Sequence, residues 1–150
     1  MSELDDFLDG MLRAQIEAEE AIHNGDVAPR VALWSQNDPV TMFGAAVPCK
    51  SGWDELSPTF RWVGSRFSDC ADYRFELVAA GVSGHLAYTV GFEHTTASVD
   101  GGPVEPYTLR VTHVYRRVAG EWKIVHRHGD YPPVDQSPPT GDANLAEASR

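Results

Sequence analysis

The sequence predicts an α+β fold in which a curved antiparallel sheet wraps around N-terminal helices. Apolar residues recur at helical spacing through the first part of the chain, and from Ala71 onward the period drops to two. The stretch Tyr107 to Tyr131 reads as two antiparallel arms around a tight turn at Val118-Ala119-Gly120. Helices first and long strands after is the order of a domain whose helices pack on one face of a sheet. A strongly bent sheet closed by helices leaves an interior pocket, and such pockets are the default ligand sites.

Ser2 and Asp5 have capping-box spacing. Leu4, Phe7, Leu8, Met11 and Leu12, followed by Ala14, Ala18, Ala21 and Ile22, continue a helix from about Glu3 to His23, which Asn24-Gly25 stops. Asp26 can cap a second, short helix with Pro29 in its first turn and Val31, Leu33 and Trp34 along it. Asn37-Asp38-Pro39 makes a turn, and Val40 to Phe43 a short strand ended by Gly44. Ser51 and Asp54 repeat the capping spacing, and Ser57-Pro58 reads as an N-cap followed by a first-turn proline. Phe60, Val63 and Phe67 share a face of the helix that follows. Tyr73, Phe75 and Leu77 then alternate with polar residues, and Gly81 to Gly84 turns the chain. Leu86, Tyr88, Val90, Phe92 and His94 alternate with Ala87, Thr89, Gly91 and Glu93. In the central hairpin Tyr107, Leu109, Val111, His113 and Tyr115 share one face. Alternation on the last arm groups Trp122, Ile124, His126, His128 and Asp130.

At 150 residues the chain makes one domain, long enough to bury roughly two-thirds of its unfolded surface. Residues 1–131 are the expected folded unit. Residues 132–150, rich in proline and without apolar periodicity, are expected to be a disordered acidic tail. The net charge of −10 is concentrated at the ends. Residues 27–129 hold ten acids and ten bases, so the body is neutral and offers nothing to a phosphate backbone. Neither a nucleic acid nor a membrane surface is an expected partner. Two cysteines without CxxC spacing and an acidic first stretch fit a cytoplasmic setting.

Within the expected pocket, His113 is the candidate acid, base or hydrogen-bond donor, against the plainer reading of a core histidine. Tyr88 and Tyr115 would assist it, since each carries a hydroxyl that needs a partner. Arg127 can anchor an anion if it faces inward, or pair across strands with Glu93. Trp34, Phe43, Trp53, Phe60 and Phe92 complete an aromatic lining suited to a small apolar or aromatic ligand. Successive members of His126, His128 and Asp130 lie about 7 Å apart along a strand face, which favours a structural role over a shared metal ion. No metal or cofactor is expected. There is no phosphate-binding glycine loop, nucleophile elbow or HExxH motif.

The stretches WSQNDPVTMFG and VYRRVAGEWKIVHRHGD, in this order of elements, resemble the nuclear transport factor 2-like superfamily, and within it the SnoaL-like domains. The late stretch also resembles the association domain of calcium/calmodulin-dependent kinase. The resemblance runs over residues 3–131 and implies a cone-shaped, cystatin-like α+β barrel with a central cavity. It also implies that Val125 and Arg127 point into the pocket, and that the outer sheet face forms a homodimer. The position of the ketosteroid isomerase base falls on Phe43, which cannot take a proton; the oxyanion-stabilising position falls on His113. The resemblance implies isomerisation, cyclisation or dehydration of a mostly apolar carbonyl or polyketide-like compound by acid/base chemistry. The alternative is a non-catalytic ligand-binding or assembly module, since this fold hosts both.

Overall fold

The computed structural model describes residues 2–134, so the expected tail lies outside the described residues from position 135 on. Its elements run α1 (Glu3–Ile22), α2 (Ala28–Leu33), β1 (Thr41–Phe43), β2 (Lys50–Ser51), α3 (Trp53–Arg66), β3 (Phe67–Ser83), β4 (Leu86–Val99), β5 (Val104–Val118) and β6 (Glu121–Asp130). The six strands form one curved sheet in the order β2-β1-β6-β5-β4-β3. β2 and β3 are free edges, so the sheet is bent but does not close into the expected barrel. It also departs from a purely antiparallel sheet, because β1 runs parallel to β6. Among the described residues no helix is long and apolar enough to cross a membrane.

Helix α1 starts where the sequence predicts, with the Ser2 hydroxyl accepting from the Asp5 amide and the Asp5 carboxylate accepting from Ser2. Its buried residues are Phe7, Met11, Gln15, Ala18, Glu19 and Ile22. That stripe has helical spacing, but it carries two polar residues. Phe7 meets Tyr115 and Trp122 edge-on, with ring centroids 4.9 and 5.2 Å apart. The N-terminal half of the helix thus packs into the apolar core with Trp34, Val40, Leu56, Phe60 and Ile124.

The two starts expected around Ser51 and Ser57 are one helix. Helix α3 begins at Trp53 and runs through Pro58. A proline there removes one intrahelical bond, and Leu56 and Phe60, fully buried on either side of it, hold the segment helical. The helix start is capped from a distance, because the Asp38 carboxylate accepts from the Trp53 amide at 2.9 Å.

The last strand resolves two incompatible registers. Ile124 pairs with Tyr115 and His126 with Val114, which leaves Val125 as the extra residue of a β-bulge. A bulge shifts the alternation by one. Ile124 before it and Arg127 and Gly129 after it therefore all face inward, whereas His126 and His128 face out beside Phe43. Simple alternation holds up to the bulge, and the family register holds beyond it.

Candidate functional site

Helix α1 carries the chain from an apolar core into a polar layer. Past Met11 its buried positions include the polar Gln15 and Glu19, and the strands supply matching groups: Tyr73 on β3, Glu93 on β4, His113 on β5 and Arg127 on β6. The Arg127 guanidinium grips Glu93 with two bonds, Nη2 to Oε1 at 2.7 Å and Nη1 to Oε2 at 3.1 Å. Tyr73 donates to the same Glu93 Oε2 at 2.8 Å and accepts from the Gln15 amide at 2.9 Å. A second pair, Arg30 of α2 with Glu19 Oε1, lies beside the first, with Arg127 Nη1 3.8 Å from Glu19 Oε1. Two carboxylates and two guanidiniums are thus buried together in charge balance.

Burial alone would raise the Glu93 carboxyl, but Arg127, then Arg30, outweigh it and hold the group below the usual carboxylate range. His113 moves the other way from a base that could be charged. Burial first, and Arg127 second, push it well below the usual histidine range. Its Nε2 accepts from Arg127 Nη1 at 3.1 Å, so the neutral ring carries its hydrogen on Nδ1, 3.3 Å from the Tyr115 hydroxyl.

A cavity of about 240 Å³ opens beyond this layer. Its walls include Ile22, Met42, Val63, Phe67 and Leu109, and Glu19, Arg30, Glu93 and Arg127 form its floor. His23 and Tyr107 stand at its side, joined by a short hydrogen bond between His23 Nε2 and the Tyr107 hydroxyl. His23 Nδ1 is 2.7 Å from the Glu19 backbone carbonyl, to which it donates. Burial foremost, then Glu19 and Glu93, raises the Tyr107 phenol, which stays protonated at neutral pH. Four buried side-chain atoms among the described residues have no hydrogen-bond partner: Gln15 Oε1, Glu19 Oε2, Trp34 Nε1 and Thr89 Oγ1. Of their residues, Glu19 alone lines the cavity. Its side chain is 2% exposed, so this oxygen is turned away from bulk solvent.

Of the residues assigned from sequence, Arg127 alone is part of the cavity lining. His113 and Tyr115 lie one layer behind it, in contact with Arg127 and with Phe7. Trp34 and Phe60 are core, with rings 5.2 Å apart, and Trp53 and Val125 pack on that core. Tyr88, Phe43 and Phe92 are on the outer face of the sheet. Tyr88 is 45% exposed and Phe43 41% exposed, and Phe92 stacks on His94. The bent inner face of β4 has room for the small residues Ala87, Thr89 and Gly91 and for Glu93, so its large alternate set points outward. Sequence reasoning missed Glu19, His23, Arg30 and Tyr107 as site residues. The available signal was Gln15 and Glu19 sitting on the apolar stripe of α1.

Comparison with known proteins places this architecture. A family model described as the SnoaL-like domain matches residues 15–134. A proposed dehydratase of the NTF2-like family from Streptomyces avermitilis is 21% identical, with a TM-score of 0.69 over 87% of this chain and 99% of that one. A proposed calcium/calmodulin-dependent protein kinase type II association domain from Thiobacillus denitrificans is 17% identical, with a TM-score of 0.67 over 80% and 93%. A proposed ketosteroid isomerase from Parabacteroides distasonis is 19% identical, with a TM-score of 0.63 over 83% and 88%. These likenesses establish the fold. No curated protein matches the chain.

The buried layer has a pH signature. His113 and Glu93 both have depressed folded-state pKa values, so each adds stability that is present above its ordinary pKa and lost as pH falls. Below about pH 6.5 the unfolded chain takes up a proton that folded His113 refuses, and below about 4.3 it takes up one that Glu93 refuses. Half-buried His126, lowered by burial and then by its contact with Thr41 only partly restored, adds a smaller step of the same sign as the first. Urea denaturation midpoints should therefore be level above about pH 7 and fall between about pH 6.5 and 5. His113→Asn, whose amide oxygen can still accept from Arg127, should shrink that fall. A wild-type midpoint that stays constant over this range contradicts the assignment.

Proposed function

We propose, from the premise that the chain belongs to the SnoaL-like domain family, that its cavity binds a small, mostly apolar carbonyl or polyketide-like compound. The bound compound is isomerised, cyclised or dehydrated by acid/base chemistry at the cavity floor. One observation carries this reading: the buried Glu19 carboxylate, one oxygen of which lacks a partner, belongs to the polar floor of a cavity with largely apolar walls. A carboxylate on the cavity floor is the group to take a proton from a carbon or hydroxyl of a bound compound. The Tyr107–His23 pair faces the same space. With Nδ1–H held by the Glu19 carbonyl, His23 Nε2 accepts from the Tyr107 hydroxyl. The phenol oxygen keeps lone pairs that can accept from a ligand's hydroxyl. In this reading Arg127 holds the floor rather than the ligand, and His113 and Tyr115 position Arg127 from behind.

A second reading, a non-catalytic ligand-binding or assembly module, has its own support in the outer sheet face, where Phe43 and Tyr88 stay exposed in the single chain. A homodimer through that face is compatible with either reading, because the cavity opens on the opposite side of the sheet.

Turnover separates these readings, and a second measurement tests the homodimer. A thermal-shift screen of hydroxyketones, enones and phenols should find compounds that raise the melting temperature, and NMR of the hits should show rearrangement or loss of water. Glu19→Gln should keep binding and lose roughly a hundredfold or more in kcat/KM; equal turnover in the variant removes Glu19 from the chemistry. For assembly, light scattering should give twice the chain mass for the wild type and the single-chain mass for Phe43→Glu combined with Tyr88→Glu. A wild type that runs as a monomer at micromolar concentration rules the dimer out.

A further inference from the structure

The charged floor of the cavity holds more hydrogen-bond donors than its own acceptors engage. A guanidinium has five N–H groups and accepts nothing. Arg127 uses both of its Nη atoms, on Glu93 and His113. Arg30 makes one hydrogen bond, from Nη2 to Glu19 Oε1. Its Nε and Nη1 find no acceptor among the described residues, yet neither is one of the sealed atoms without a partner, so both keep accessible surface. The Phe60 ring, centred 5.9 Å from Arg30 Cζ, belongs to the core and brings no oxygen to that side. The carboxylates lie deeper. The Glu19 and Glu93 side chains are each 2% exposed, against 7% for Arg30 and 8% for Arg127. Glu19 Oε2 is sealed off altogether. The charged surface that a ligand meets at the floor is therefore mainly guanidinium. At the mouth, Arg66 is paired with the Asp100 carboxylate at 3.3 Å, and exposed Glu105 stands on the rim.

We infer that the cavity holds its ligand by a carboxylate, which accepts hydrogen bonds from the N–H groups of Arg30 that the protein leaves without an acceptor. This rests on the small-molecule reading of the cavity and narrows it to compounds with a carboxylate at one end of an apolar skeleton. A carboxylate matches a guanidinium edge in charge and in geometry, and its charge-assisted bonds are stronger than those of a neutral carbonyl. The bound anion lies against the accessible cations and farther from the deeper carboxylates, so attraction acts over the shorter distance. An ammonium finds the reverse: repulsion at the surface and no open carboxylate to meet. Arg127 stays with Glu93, and Arg30 is the residue that reads the ligand.

The test uses the full chain and four probes of one skeleton, 2-naphthoate, methyl 2-naphthoate, 2-naphthol and 2-naphthylmethylammonium, titrated by calorimetry at pH 7. A hydrogen bond to a charged group is worth about tenfold or more in affinity, so 2-naphthoate should bind at least about tenfold more tightly than each of the others. Arg30→Gln combined with Glu19→Gln removes the pair without leaving a lone buried charge. Loss of the Glu19 charge by itself would favour an anion, so disappearance of the naphthoate preference in this double variant assigns the preference to Arg30. The wild-type series reads the selection whether or not the variant folds. Tightest binding of the ester, the naphthol or the ammonium by the wild type, equal binding of naphthoate and its ester, or a naphthoate preference that survives in the folded double variant overturns the inference while leaving a small-molecule cavity. Binding of none of the four at millimolar concentration overturns the small-molecule reading and the inference with it.

Discussion

The two-bond contact between Arg127 and Glu93 is the constraint on which the rest of this fold depends. It ties β6 to β4 across the inner face of the sheet, and through Gln15, Tyr73 and His113 it draws in α1, β3 and β5. Burying a guanidinium and a carboxylate is costly, and leaving either alone is far worse. The surrounding donors and acceptors are arranged to prevent that. Glu93 accepts from Arg127 and Tyr73, and the imidazole of His113 stays neutral so that it can accept from the cation. The second pair, Arg30 with Glu19, completes the balance from the helical side. Side chains held in this way cannot collapse into the space above them, and this keeps a cavity open between α1, α3 and the sheet.

The shape of the sheet follows from local departures from regular pairing. Register shifts in β3 fall between Ser68 and Asp72 and between Leu77 and Ala79, and Val125 is the extra residue in β6. Each adds twist and bend. The bulge at Val125 has the largest consequence, because it lets Ile124 serve the apolar core and Arg127 the polar layer from the same strand. Without it, Arg127 would face the solvent side that His126 and His128 occupy. The bend also decides which alternate set of β4 goes inward: the small residues and Glu93 line the concave face, and Tyr88 and Phe92 cover the convex one.

Much of the fold was legible in the chain. The capping spacing of Ser2 and Asp5, the helical stripe of α1 and the arms around Ala119-Gly120 are local patterns, and local patterns survive into the structure. The continuity of α3 through Pro58 was not legible, because tertiary burial of Leu56 and Phe60 outweighs a local break signal. The site was legible only in part. Arg127 is buried and pairs with Glu93, the cross-strand partner that the sequence offers as the alternative to ligand binding. His113 is buried, but the layer between it and the cavity depends on contacts among four strands and two helices. An inward place for Tyr88 and Phe92 follows from large apolar residues usually facing the core, and a bent β4 with a charged inner position breaks that rule; Phe43 faces out because β1 pairs it with the outward His128. Glu19 was readable in principle, as a carboxylate on an apolar helical stripe has to find a buried partner.

A double-mutant cycle on Glu93→Leu and Arg127→Met tests the central claim most directly. If the pair organises the interior, each single replacement leaves an uncompensated buried charge and costs about 3–5 kcal/mol in urea unfolding. The double variant should then be more stable than either single one. Single losses under about 1 kcal/mol that simply add in the double variant would show that the two residues act independently, and would contradict the account given for both the fold and the cavity.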